Sequence, residues 1–130
     1  MTWQNAALGL AGVIGGGTAV VHGILTQRLM VRPIAALFRN DGRTSAPIRR
    51  LVPLLLHFST AVWFLGGLAL IAAALWFDRD ARRATGLLVG VPYLLGALGN
   101  LWATRARHPG WMLLAAAVIL IAVAVGPSGG

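Results

Sequence analysis

Three side chains able to do chemistry lie inside long apolar runs: His22, His57 and Asn100. An imidazole or carboxamide in hydrocarbon needs a hydrogen-bond partner, and ionisable groups there are functional candidates by default. His22 stands six residues before Arg28, His57 seven after Arg50 and Asn100 five before Arg105. At ~1.5 Å per helical residue, each lies roughly 8–10 Å inside an arginine boundary. Two histidines at one depth on adjacent helices suit the axial ligands of a b-type haem, with glycines of the first helix making room for the macrocycle. Arg28, Arg32, Arg49 and Arg50 would meet lipid headgroups or the haem propionates. The same imidazoles, with Tyr93 or Asn100, suit a proton relay or a quinone carbonyl. The plainer reading is that these groups hydrogen-bond helix to helix, for which measured contributions average ~0.6 kcal/mol.

Other chemistry is poorly provided for. The carboxylates are Asp41, Asp78 and Asp80, all in connections, and there is no glutamate or cysteine. Paired-carboxylate catalysis, thiol chemistry and Cys-ligated metal are thereby excluded. Two histidines leave a first-row metal short of ligands, and His108 belongs to a shallower loop. Ser45 and Ser59 have no Asp-His arrangement beside them. The glycine run 15–17 lies in an apolar stretch without the lysine of a phosphate loop. The chain resembles the small multidrug transporters in size alone, because that family relies on a glutamate in its first span. A channel or transporter is therefore the weaker expectation.

The elements that must hold these residues are membrane helices. Hydrophobic residues make up 58% of the 130 and charged residues 11%, with a mean hydropathy of +0.78, far outside the soluble range. The uncharged stretch 51–77 exceeds the ~20 apolar residues that cross a bilayer. The pattern predicts an all-α, four-span transmembrane bundle forming a single domain, with spans at 6–26, 51–77, 84–104 and 109–126. The first span is read as a retained helix, since no positive n-region or cleavage motif marks a secretory signal. The connection 27–50 holds six arginines against one aspartate and suits a short helix at the headgroup boundary, with Asn40-Asp41-Gly42 turning the chain and Ser45 before Pro47 starting the next helix. Residues 78–83 read as a charged turn, and Pro92 should kink the third span.

Arginine counts orient the bundle. The first and third connections carry six and two and the second carries three, so the first and third are expected in the cytoplasm. The helices then run up-down-up-down with both termini non-cytoplasmic. A two-fold internal duplication has no shared motif to support it.

Helical phase groups Ala11, Gly15, Thr18, His22 and Thr26 on span one. It groups Pro53, His57, Ala61, Phe64 and Leu68 on span two, and Tyr93, Gly96, Asn100 and Thr104 on span three. These three faces are expected to converge on the interior. Gly9, Gly12, Gly16, Ala19 and Gly23 form a second, small-residue stripe, available for helix packing with another helix or another protomer. Trp3, Trp76, Trp102 and Trp111 fall at span ends as an interfacial belt, while Trp63 lies deep.

The leading functional expectation is a non-enzymatic accessory or helix-packing subunit, multi-pass in the cell membrane. Its partners would be the lipid bilayer and a homo-oligomer or larger membrane complex, with no nucleic acid. The alternative is a haem b-binding or quinone-linked membrane protein using His22 and His57.

Overall fold

The computed structural model describes residues 2–126. These are all-helical: α1 (Trp3–Thr26), a π-helical segment (Gln27–Val31), α2 (Arg32–Asn40), α3 (Ala46–Trp76), α4 (Arg79–Ala103) and α5 (Gly110–Val125), with no strand among the described residues. Three helices are long and apolar enough to cross a membrane: Trp3–Asn40, taken through the π segment, Ala46–Trp76 and Arg79–Ala103. α5 is apolar but has 16 residues, about 24 Å at ~1.5 Å per residue against a hydrocarbon core of roughly 30 Å. The chain has the construction of a small membrane protein.

Burial is the reverse of a soluble domain's. Ala11, Ala19, Ala73 and Ala117 are fully enclosed, whereas Leu54, Leu88, Leu95 and Ile119 are more than 60% exposed. Soluble monomers rarely display apolar surface on this scale. Lipid is the solvent that fits it, and small residues inside let backbones approach where there is no hydrophobic drive between helices.

The helices pack in cyclic order α1, α3, α4, α5 and back to α1. Tyr93, without exposure, sits among them and lies against Gly15 of α1. The α1–α3 seam is the closest. A Cβ at Gly12 would come 2.6 Å from the Gly67 carbonyl oxygen, and one at Gly67 would come 2.7 Å from the Gly12 oxygen. Gly9 faces Ala74 and Gly23 faces Thr60 along the same seam. The small-residue stripe, expected to pack against another helix or another protomer, packs against α3 inside the chain. Gly16 contributes only its backbone, which a Gly67 Cβ would meet at 2.8 Å, because its own Cβ direction is open.

Several expected boundaries move. The helix does not stop at Thr26. Pro33 has no N–H to offer a helical carbonyl, and the chain absorbs this by widening at Gln27–Val31, where the Arg32 N–H reaches the Gln27 oxygen. The segment 27–40 therefore continues the first helix before the turn that precedes α3. α3 starts at Ala46 behind Ser45, where the helix start was expected, and so leads by five residues the apolar span expected from 51. α4 starts at Arg79 because the Asp78 carboxylate accepts the Ala81 N–H at 2.8 Å, which turns the supposed charged loop into a capped helix start. The chain stays helical through Pro53 and Pro92.

The expected inner face of span two is also corrected. Ala61, Phe64 and Leu68 are exposed, while Trp63, Gly67, Leu70, Ala73 and Ala74 are buried. Closeness to Gly12 sets that phase: Gly67 is where α3 can touch backbone, so the face carrying Gly67 turns inward. On α1 the phase is as expected, with Ala11, Gly15, Thr18 and Thr26 all buried.

Candidate functional site

The α1–α3 seam changes character along its length. Beyond the glycine contact, toward the C-terminal end of α1, it becomes a ladder of polar pairs. His22 Nε2 lies 3.2 Å from Ser59 Oγ and 3.3 Å from Thr26 Oγ1. One turn on, His57 Nε2 donates to Gln27 Oε1 at 2.9 Å. An amide oxygen only accepts, so this contact places the His57 proton on Nε2. Thr60, beside Gly23, carries a buried hydroxyl oxygen with no hydrogen-bond partner among the described residues.

Tryptophan and tyrosine lock the centre. Trp63 donates its indole N–H to the Pro92 carbonyl at 3.2 Å, and Tyr93 donates its hydroxyl to the Trp63 carbonyl at 2.9 Å. The Trp63 ring also lies 4.6 Å from the His22 ring, centroid to centroid, tilted by 52°. Gly96 leaves the room that the Trp63 ring fills.

Two clefts flank Trp63. One of about 330 Å³ is lined by His22, Asn100, His108, Trp63 and apolar residues of α1 and α5. The other, about 400 Å³, lies between α3 and α4 and also touches Trp63 and Asn100. Asn100 donates one amide N–H to the Gly96 carbonyl at 2.9 Å. His108 Nδ1 accepts the Gly110 N–H at 3.1 Å. Because Nδ1 accepts, the neutral His108 ring carries its proton on Nε2.

The structure therefore brings His22 and Asn100 to one cavity, joined by His108 rather than by His57. His57 faces Gln27, and Tyr93 faces the Trp63 carbonyl. A haem b ligated by His22 and His57 would require both Nε2 atoms to give up different partners across one tightly packed seam. Among the described residues, no group of three or more His, Asp or Glu side chains is placed to hold a metal ion. Arg28, Arg32, Arg49 and Arg50 are exposed at this end. The Asp41 carboxylate, in the connecting turn, accepts from Thr44 Oγ1 at 2.6 Å and from the Arg43 N–H at 3.0 Å. The Thr44 hydroxyl first, then the Arg43 N–H, holds its pKa below the ordinary value.

The opposite end differs. There the Arg82 guanidinium donates to Asn5 Oδ1, and Gln4, Arg79, Arg83 and Val125 join them around a cleft of about 330 Å³.

The places of Ser59, Gln27 and His108 at this end were missed in the sequence. Ser59 was weighed only as a nucleophile, and the packing of α1 on α3 sets it beside His22. His108 was set aside as a loop residue, and two left-handed residues returned it to the bundle. Arg105 and Ala106, at φ 47° and 63°, reverse the chain sharply enough for His108 to fold over the cavity end. The turn before Pro109 is legible, but neither residue is a glycine, so nothing marked their left-handed conformation.

Comparison with protein-family models, with curated proteins and with solved structures finds no match.

Proposed function

We propose that the chain is a four-span protein of the cell membrane, running up-down-up-down with both termini outside the cytoplasm, that serves as a non-enzymatic accessory subunit of a membrane assembly. Eight arginines in the first and third connections against three in the second support that orientation. The short α5 completes the four spans with Gly110 at one interface and Val125 at the other. The observation that carries the accessory role is the α1–α3 ladder. His22, Ser59, Thr26, His57 and Gln27 direct polar atoms at one another, which is how polar groups fasten helices in lipid. Association would use the exposed leucine-rich surface, since the glycine stripe is already occupied.

Native mass spectrometry from lipid nanodiscs tests the role. An assembly above the 13.6 kDa of one chain is expected, and a monomer at every lipid-to-protein ratio overturns it. The sequence has no cysteine, so single cysteines placed at Thr2, Gly42, Asp80 and Arg107 report topology directly. Labelling from outside is expected at Thr2 and Asp80 alone.

A further inference from the structure

We infer that the cleft formed by His22, Trp63, Asn100 and His108 binds the ring of an uncharged, lipid-soluble quinone. This goes beyond the accessory role, and holds for the chain alone or in an assembly.

Shape and access come first. The cleft holds about 330 Å³, within the range of small-ligand sites, with mostly apolar walls and a few converging polar groups. Val13, Gly17, Val21 and Leu113 line it and are themselves exposed on the lipid-facing surface. A ligand would therefore enter from the bilayer and leave its tail there. Among the described residues no Arg or Asp lines the cleft, and the sequence has no Glu or Lys, so a charged head would have no counter-charge in a low-dielectric setting.

Chemistry then narrows the ligand. His108 keeps an Nε2–H donor, because its Nδ1 is held by the Gly110 N–H. Asn100 spends one amide N–H on the Gly96 carbonyl and keeps the other. Donors of this kind call for a carbonyl oxygen. The tilted Trp63–His22 ring pair supplies an aromatic wall, which favours a flat ring over an acyl chain. A quinone has the carbonyls, the ring and the tail together.

The glycines supply a matched test. A Cβ on Gly17 or on Gly16 would meet nothing within 4 Å, so a side chain can leave the backbone at either position, yet of the two only Gly17 lines the cleft. A benzoquinone with a ten-carbon tail is titrated into protein in zwitterionic nanodiscs, and tryptophan fluorescence is read against empty-disc partitioning. Saturable quenching near one quinone per chain is expected for the unaltered protein and for Gly16→Leu. Gly17→Leu and His108→Phe should each bind about tenfold more weakly, equivalent to ~1.4 kcal/mol. Circular dichroism and gel filtration verify that each variant is folded, and His108→Phe carries the test alone if Gly17→Leu is not. Unsaturable quenching, equal affinity in all variants, or tighter binding of a ten-carbon fatty acid would overturn the proposal.

Discussion

The two halves of the α1–α3 seam solve the same problem by different means. At Gly12–Gly67 the helices touch through backbone, with the Ile71 side chain also against Gly12. At His22–Ser59 and Gln27–His57 they touch through side-chain hydrogen bonds. Close backbone contact leaves no room for a ligand, whereas both clefts beside Trp63 border the polar half, one walled by α1 and α5 and the other lying between α3 and α4. Packing in the first half is governed by shape and in the second by partners. Substitutions should therefore fail for different reasons in each.

The largest effect is expected in the glycine half. Gly67→Ala places a methyl within 3 Å of the Gly12 oxygen and of the Gly16 backbone, atoms that cannot swing aside. Overpacking of this kind costs about 1–3 kcal/mol or more. Thermal unfolding in detergent should show the loss, while Gly16→Leu, with open space ahead of its Cβ, should stay within about 0.5 kcal/mol of the parent. Equal damage from both would mean that the stripe meets something other than α3.

Tyr93 joins the halves and gives the next test. Tyr93→Phe keeps the ring against Gly15 and removes only the bond to the Trp63 carbonyl. A cost of about 1 kcal/mol is expected from the same unfolding curve. Trp63 emission should shift as well, because its backbone anchor is gone while its indole bond to Pro92 remains.

The glycine half was more legible than the polar half, for a physical reason. Small residues at helical spacing announce a close approach, and Gly9, Gly12, Gly16 and Gly23 did so. What one sequence withholds is the partner, so a stripe used within the chain looked equally available to another helix or to a second copy. The interior phase of α1 was readable because its polar and small residues share one line, from Ala11 to Thr26. The phase of α3 was not, because leucine and phenylalanine surround His57 and hydrophobicity in lipid does not distinguish inside from outside. Helix starts at Ala46 and Arg79 depended on local features, Ser45 with Pro47 and Asp78. The first was read correctly and the second was taken for a turn. Asn100 and His22 shared a depth that arginine spacing revealed. His108 joined them only through the left-handed Arg105–Ala106 turn.

A stabilising change should be available where the ladder is incomplete. Among the described residues the Thr60 hydroxyl oxygen is buried without a partner, and Thr60→Val keeps the side-chain shape while removing the unsatisfied group. Stability should rise, by up to about 1 kcal/mol, since an unmade buried hydrogen bond costs about 1–3 kcal/mol before relaxation. A loss would mean that the hydroxyl is paired in the membrane, by lipid or by a ligand, and the polar half would then be less self-contained than the glycine half.

The smallest expected effect decides what the histidines do. His57→Leu and Gln27→Leu, made singly and together, form a double-mutant cycle across the 2.9 Å bond. If the pair is helix glue, the coupling should be near the ~0.6 kcal/mol measured for such bonds in bilayers. A reduced-minus-oxidised spectrum on the same four proteins separates glue from ligation. Haem bands present in the parent and lost in His57→Leu, but kept in Gln27→Leu, would assign His57 to iron and make Gln27 a bystander. A featureless spectrum with measurable coupling would assign both residues to the seam. That outcome would leave the cleft beside Trp63 as the place in the polar half with hydrogen-bond donors still to give.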